Sequence, residues 1–431
     1  MTTGIEVNND YYDVLIIGSG ISGLSASLFC TQENLKAIQV GSVGGIQFSA
    51  GLIDLMAVHP LKDLKLWENP WEAIDEVRKD IPQHPYCKVS NDEIKTALTT
   101  CFDYFKSNGM EYIFDENKNS TVVTAMGTIK HSYGIPKTMT AANDAWESKS
   151  PALIVDFKGL KEFSSIQVVE SLKDEWPGLS STQITFPETE NKEEIFATHM
   201  AQWLELPSNV TKLSNAIKPH LGSNKAVGLP AILGVLNTES IHNQLENELG
   251  VKVFEIPTMP TSVPGFRLKN VFDRSLTDLG LTRLNQKFVT NVEFDGDHFN
   301  ITTDKGNKTI KAKTILLATG RFMGKGLIAD INKIREPLFD LPVTQPDHRS
   351  KWHNEDFVAP EGHPINQAGI EVDKNFQPIK LDGTIVYKNL FAAGAILAHQ
   401  DWIRMKCGSG LAIATAYKAV HSIKKYLQQS E

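Results

Sequence analysis

Three glycines near the front of the chain, Gly18, Gly20 and Gly23, stand in G-x-G-x-x-G spacing. That pattern suits a pyrophosphate. Gly18 allows a tight turn, Gly20 lets the phosphates approach the backbone, and Gly23 lets a following helix pack closely on the strand before it. Ser19, Ile21 and Ser22 lie in the same turn, and the positive end of the helix receives the anion. Further on, two apolar runs end in small residues, Ala318-Thr319-Gly320 and Ala393-Gly394, and Gly408-Ser409-Gly410 makes another glycine turn. A glycine turn at a helix N-terminus presents N–H groups to a ring edge that gains negative charge on reduction. His399, Asp401 and Arg404, just after Ala393-Gly394, are titratable and charged side chains on the chain running from that turn to Gly408. Arg267, Arg321, Arg335 and His131 are further candidates.

The elements that must position these residues are legible in the hydrophobic pattern. Residues 14–17 are an apolar, β-branched run expected to be a strand buried on both faces, and a helix should follow Gly23. A G-x-G-x-x-G between strand and helix is the context that gives the motif its meaning. Residues 35–40 read as the second parallel strand, whose end should carry Asp or Glu for a ribose hydroxyl. Here the chain departs from that pattern and reads Gln39-Val40-Gly41-Ser42, where Gln39, Ser42 or a backbone carbonyl could hold the ribose instead. Residues 41–51, with Gly45, Phe48, Ser49, Ala50 and Gly51, are dense in small residues and suit a flat ring pressed on the backbone. His59, before Pro60, reads as a loop residue rather than a covalent attachment point.

Residues 60–88, with four prolines, read as short surface helices and loops. Residues 91–108 read as a helix with Ile94, Leu98, Phe102 and Phe105 on its core face and Asn108-Gly109 as its C-cap. Strand character is expected over 111–133, 151–157, 225–234 and 251–256, and helices over 161–176, 191–203, 209–218, 240–249 and 264–279. Residues 286–315 read as short strands turning at Asp295-Gly296 and Lys305-Gly306, and 313–320 and 386–394 as apolar strands running into their glycines. The expected fold class is α/β. A discontinuous Rossmann-like dinucleotide-binding domain occupies 10–119 and 265–431, with an α/β domain inserted at 120–264.

Composition narrows the function. The chain has 431 residues, a net charge of −8 and no basic cluster interleaved with aromatics, which disfavours nucleic acid. The first ten residues are polar and acidic, unlike a signal peptide, and no apolar run reaches the ~20 residues of a membrane-spanning helix. Cys30, Cys87, Cys101 and Cys407 stand too far apart for a disulfide framework or metal cluster, so no metal is expected and the compartment is cytoplasmic.

Taken together, G-S-G-I-S-G, A-T-G and N-L-F-A-A-G resemble FAD-linked oxidoreductases of the glutathione reductase and fumarate reductase kind. Residues 48–56 (Phe-Ser-Ala-Gly-Leu-Ile-Asp-Leu-Met), His84-Pro85-Tyr86, Met126-Gly-Thr-Ile129, Gly265-Phe-Arg-Leu268, Ile334-Arg-Glu-Pro337 and Cys407-Gly-Ser-Gly410 resemble the B-subunit family of anaerobic glycerol-3-phosphate dehydrogenases. The likeness covers nearly all of the chain after Tyr11. It implies a flavoprotein beside a catalytic, FAD-containing A subunit and an iron–sulfur C subunit that anchors the set to the membrane. The implied reaction is oxidation of sn-glycerol 3-phosphate to dihydroxyacetone phosphate, with electrons passed to quinone. The family is usually described with FMN, whereas the pyrophosphate turn argues for FAD. A stand-alone flavin dehydrogenase and a flavin-free scaffold are the competing readings.

Overall fold

The computed structural model describes residues 11–42, 44–304 and 309–430. The expected turn at Lys305-Gly306 and the polar opening of the chain lie outside them. The chain divides into two compact units, one of 1–45, 55–101 and 272–431, the other of 46–54 and 102–271.

The first unit is built on a seven-stranded sheet. Strand β1 (Tyr11–Ile17) is followed by helix α1 (Ile21–Gln32) and strand β2 (Ala37–Gly41). Thr282–Asn285, β2, β1 and Ile310–Leu317 lie side by side and parallel. Val14, Leu15 and Ile16 are wholly buried, as expected for a parallel strand covered on both faces. The far edge of Ile310–Leu317 is shared. Its first half pairs antiparallel with Phe299–Thr303, and its second half pairs parallel with Leu390–Ala392. The turn at Asp295-Gly296 joins Val289–Phe294 to Phe299–Thr303, as expected. Strand Thr282–Asn285 has no clear sign in the sequence, because its Thr-Arg-Leu-Asn lacks a continuous apolar run. The apolar run 386–394 yields only the three-residue strand Leu390–Ala392.

Residues 60–88 are more deeply placed than their prolines suggest. They contain the helix Pro70–Asp80, N-capped by the Asn69 side chain, and Trp71, His84 and Tyr86 are buried. His59 is buried too, its Nε2 2.9 Å from an Asp80 carboxylate oxygen. The helix Asn91–Ser107 follows its periodicity, with Ile94, Leu98, Phe102 and Phe105 all buried.

The second unit carries a four-stranded parallel sheet in the order Lys252–Ile256, Ala226–Pro230, Ala152–Phe157, Leu179–Ile184. Helices over 161–176 and 191–203 shrink to Ser165–Leu172 and Ala197–Trp203. Strand character over 111–133 resolves into the short strands Tyr112–Ile113, Ser120–Val123 and Ile129–Ser132.

This unit also takes in residues 46–54, well outside the expected 120–264 insert. Long-range bonds hold them there. Ile53 and Gly134 exchange two backbone hydrogen bonds, the Tyr112 hydroxyl donates to the Gly51 carbonyl at 2.6 Å, and Ser262 Oγ donates to the Ser49 carbonyl.

A buried ion pair organises the second unit's interior. Arg267 Nη2 lies 2.8 Å from Glu255 Oε1, and Thr138 and the Leu233 N–H also donate to that carboxylate. Burial alone would push Glu255 up, but the Arg267 charge and these donors hold it below the usual carboxylate range. Arg267 Nε donates to the Gly234 carbonyl, and the guanidinium, buried and paired with Glu255, is not presented to a substrate phosphate. Arg267→Met strands a buried carboxylate and is expected to cost about 3–5 kcal/mol. Urea denaturation checks this, and the Glu255→Gln/Arg267→Met double variant should recover part of the loss.

Candidate functional site

Three glycine turns leave the carboxyl ends of three adjacent strands. Gly18 follows β1, Ala318-Thr319-Gly320 follows Ile310–Leu317, and Ala393-Gly394 follows Leu390–Ala392. The ladder carries on into the turns, with Ala318 N–H donating to the Ile17 carbonyl (2.8 Å) and Ala393 N–H to the Leu317 carbonyl (2.9 Å). Ligands of open α/β sheets bind at this edge.

Sterics explain the glycines. Gly18 has φ +134°, and a Cβ there would lie 2.1 Å from the Ala318 carbonyl oxygen. At Gly23 a Cβ would lie 2.2 Å from the Gly18 carbonyl oxygen, so helix and turn touch through bare backbone. Gly20 differs, since a Cβ there meets nothing within 4 Å. It sits at the N-cap of α1, where no side chain satisfies the first N–H groups. Gly394 presses on Ser22, and its N–H donates to Thr415 in the helix Gly408–Ser430, which Gly408, Ser409 and Gly410 open.

Four polar side-chain atoms at this edge are left over. Ser22 Oγ, Thr319 Oγ1, Arg321 Nε and Gln400 Oε1 are buried with no hydrogen-bond partner among the described residues. Buried groups in this state have a missing partner. The open N-terminus of α1 and these four atoms fit a dinucleotide, and Ser19, Gly20 and Ile21 are the residues that would hold its pyrophosphate. Among the described residues, the end of β2, where a ribose-binding carboxylate would stand, carries none. Gln39 is committed, its Nε2 donating to the Gly18 carbonyl and its Oε1 accepting from Arg283 Nε. Val40 is buried within β2. A Cβ on Gly41, at the strand end, would fall 2.8 Å from Ser19. Among the residues of the 41–51 stretch, Gly45 belongs to the first unit and Phe48, Ser49, Ala50 and Gly51 to the second.

His399, Asp401 and Arg404 lie on the segment after Gly394. Gln400, wholly buried, ties that segment to the glycine turn by donating to the Gly394 carbonyl at 3.1 Å. His399 adopts φ +63°, and its Nε2 is 2.8 Å from Glu371 Oε1. Its ring remains about a quarter exposed. Asp401 is buried, accepting from Asn366 Nδ2 (2.9 Å) and more distantly from Arg404 (3.4 Å). Arg404 keeps part of its guanidinium exposed and stands against Gly362. Gly362 is one wall of a cleft of about 440 Å³, shared with Asn354, Glu361, His363, Pro364 and Gln367. Gln367 accepts the His399 N–H through its carbonyl.

Arg321 acts on the backbone instead. It donates to the carbonyls of Asn366, Leu397 and Gln400. Burial pushes its guanidinium down to about 10, with Asp401 pulling the other way. Arg335 is half exposed and lies 4.0 Å from Asp330, while His131 lies on a strand of the second unit.

One residue escapes the sequence, and a second is legible only as a local motif. Glu371 precedes His399 by 28 positions with no motif to connect them. His84 has a local sign, since a His before Pro-Tyr can cap the next turn, and its Nδ1 accepts the Tyr86 N–H at 3.2 Å. Burial, helped by the charges of His59, Lys88, His399 and Arg78, pushes His84 from 6.5 down to about 3. Between those values the unfolded chain binds a proton that the folded chain refuses, so stability should fall as pH drops from about 6.5 towards 3. Denaturant midpoints across that window should drop less for His84→Asn, which keeps the capping acceptor without the titration.

Residues 13–411 match the family described as FAD binding domain. The B subunit of an anaerobic glycerol-3-phosphate dehydrogenase from Aliivibrio fischeri (strain MJ11) is 29% identical over 445 residues, covering 97% of each chain. The protein of the same name from Vibrio vulnificus (strain YJ016) is 28% identical over 422 residues, covering 95% of each. A solved 3-ketosteroid delta1-dehydrogenase from Sterolibacterium denitrificans aligns with 97% of this chain and 100% of its own, at 11% identity and a TM-score of 0.43. Since the family match spans nearly the whole length and meets a strand edge shaped for a dinucleotide, the chain belongs to the FAD-binding-domain family and FAD is its cofactor.

Proposed function

We propose that this chain is a B-type subunit of an anaerobic glycerol-3-phosphate dehydrogenase and contributes to oxidising sn-glycerol 3-phosphate to dihydroxyacetone phosphate. What carries the reading is likeness to proteins of that name over 97% of both chains. FAD, when bound, supplies the acceptor for the hydride leaving carbon 2. The protein must hold the substrate and take the hydroxyl proton. His399, exposed enough to be reached and fixed beside the third glycine turn, is the base. Arg404, only loosely engaged by Asp401, binds the phosphate from the wall of the cleft, and Asp401 fixes the loop around it. Electrons then leave through an A subunit and an iron–sulfur C subunit to quinone. Among the described residues no helix is long and apolar enough to cross a membrane, so association with the inner face of the membrane runs through those partners.

The test is glycerol 3-phosphate-dependent reduction of a dye by the purified flavin-loaded chain, with and without its A subunit. The chain alone should reduce the dye, and dye reduction that appears only with the A subunit would move substrate oxidation to that partner and leave this chain an accessory electron-transfer subunit. Acid extraction and mass measurement of the bound flavin should return FAD.

A further inference from the structure

We propose that Glu371 is the positioning residue for His399, holding the ring by Nε2 so that Nδ1 is the nitrogen left to take the substrate's hydroxyl proton. The inference rests on the reading of His399 as the base. An ionised carboxylate only accepts, so the 2.8 Å contact requires the hydrogen on Nε2. In a neutral imidazole the lone pair is then on Nδ1. When the alcohol is oxidised, its O–H bond breaks and the proton passes to Nδ1. The bonding pair stays with oxygen and closes the carbonyl as the hydride leaves carbon 2.

An exposed His–Glu contact is often incidental. Three observations set this one apart. Glu371 Oε1 is itself fixed by a second donor, Thr344 Oγ1, at 3.0 Å. His399 is kept in left-handed backbone geometry, uncommon for a non-glycine residue, by its N–H bond to Gln367. The segment around it is gripped at Leu397 and Gln400 by Arg321, which follows the second glycine turn directly, and Gln400 is tied to Gly394 of the third. The backbone thus delivers the ring to one place, and Glu371 sets its orientation there. Burial tends to raise the Glu371 carboxyl, but His399 and Thr344 outweigh it and hold it below the ordinary range. Also facing the pair are the charged Lys88, acting on Glu371, and the titratable, buried His84, which feels His399.

The experiment is nitrogen-15 NMR on the flavin-loaded full chain labelled at histidine, with His399→Asn identifying the relevant signal. The wild-type chain should show one His399 tautomer, protonated at Nε2. Glu371→Gln, whose amide can donate or accept, should show a mixture. It should also lower kcat by about 10²-fold with KM for glycerol 3-phosphate little changed, and displace the acid limb of the pH–rate profile. Thr344→Val should move both readouts the same way by less, and Glu371→Asp should restore part of each. An unchanged tautomer in Glu371→Gln, or a changed tautomer with undiminished kcat, overturns the proposal. If glycerol 3-phosphate proves not to be oxidised, the function falls while the spectrum still decides the orientation.

Discussion

Gly20→Val should yield a protein that folds and melts like the flavin-stripped parent but purifies colourless. Gly20 has φ −79°, which valine adopts freely, and its missing side chain would project into space with no atom within 4 Å. A Cβ at this position meets nothing in the protein. Only a ligand that needs that space would meet it, and the pyrophosphate is such a ligand. Loss of close approach should weaken FAD by at least about 10²-fold, equivalent to roughly 3 kcal/mol. Gly18→Ala is the contrasting case. Its Cβ would strike the Ala318 carbonyl, which is pinned by the ladder bond of Ala318 to Ile17, so flavin and stability should fall together. The flavin-to-protein absorbance ratio and the melting temperature of the stripped proteins separate the two outcomes. A yellow Gly20→Val protein would mean the pyrophosphate lies elsewhere.

His399→Asn should retain its flavin and lose turnover by about 10²–10⁴-fold, the range for removing a general base. Asparagine tolerates the φ of +63° that His399 adopts, so the segment tied down by Gln400 and Arg321 should stay in place. Normal flavin absorbance with glycerol 3-phosphate-driven bleaching slowed at every pH is the expected result. If bleaching keeps its wild-type rate, the proton goes to another group.

How much can be read from the residues divides by range. The three glycine turns are legible because each is local: an apolar run that stops on small residues announces a strand end wherever it lies. Their convergence follows from the fold class, as do the buried faces of β1 and of Ile310–Leu317. What escapes depends on partners distant in sequence. Gln39 looks available for a ribose until Arg283, 244 positions away, claims its oxygen. Arg267 looks like a phosphate ligand until Glu255 takes it up. Residues 46–54 follow β2 in sequence yet fold with the second unit, because Gly134, Tyr112 and Ser262 hold them. Polar side chains carry no label saying whether they face a ligand or a neighbour, and only three-dimensional placement supplies one.

The shared edge of Ile310–Leu317 has a consequence for how this chain can diverge. The excursion from 321 to 389 departs at the tip of that strand and returns beside its second half, and Arg321 cinches the two ends by gripping Leu397 and Gln400. A purse-string of this kind fixes the mouth and leaves the bag free. Insertions and deletions within the excursion, away from the residues the site uses, can accumulate without disturbing the mouth, whereas one residue gained or lost in 317–321 or 390–400 would misalign it.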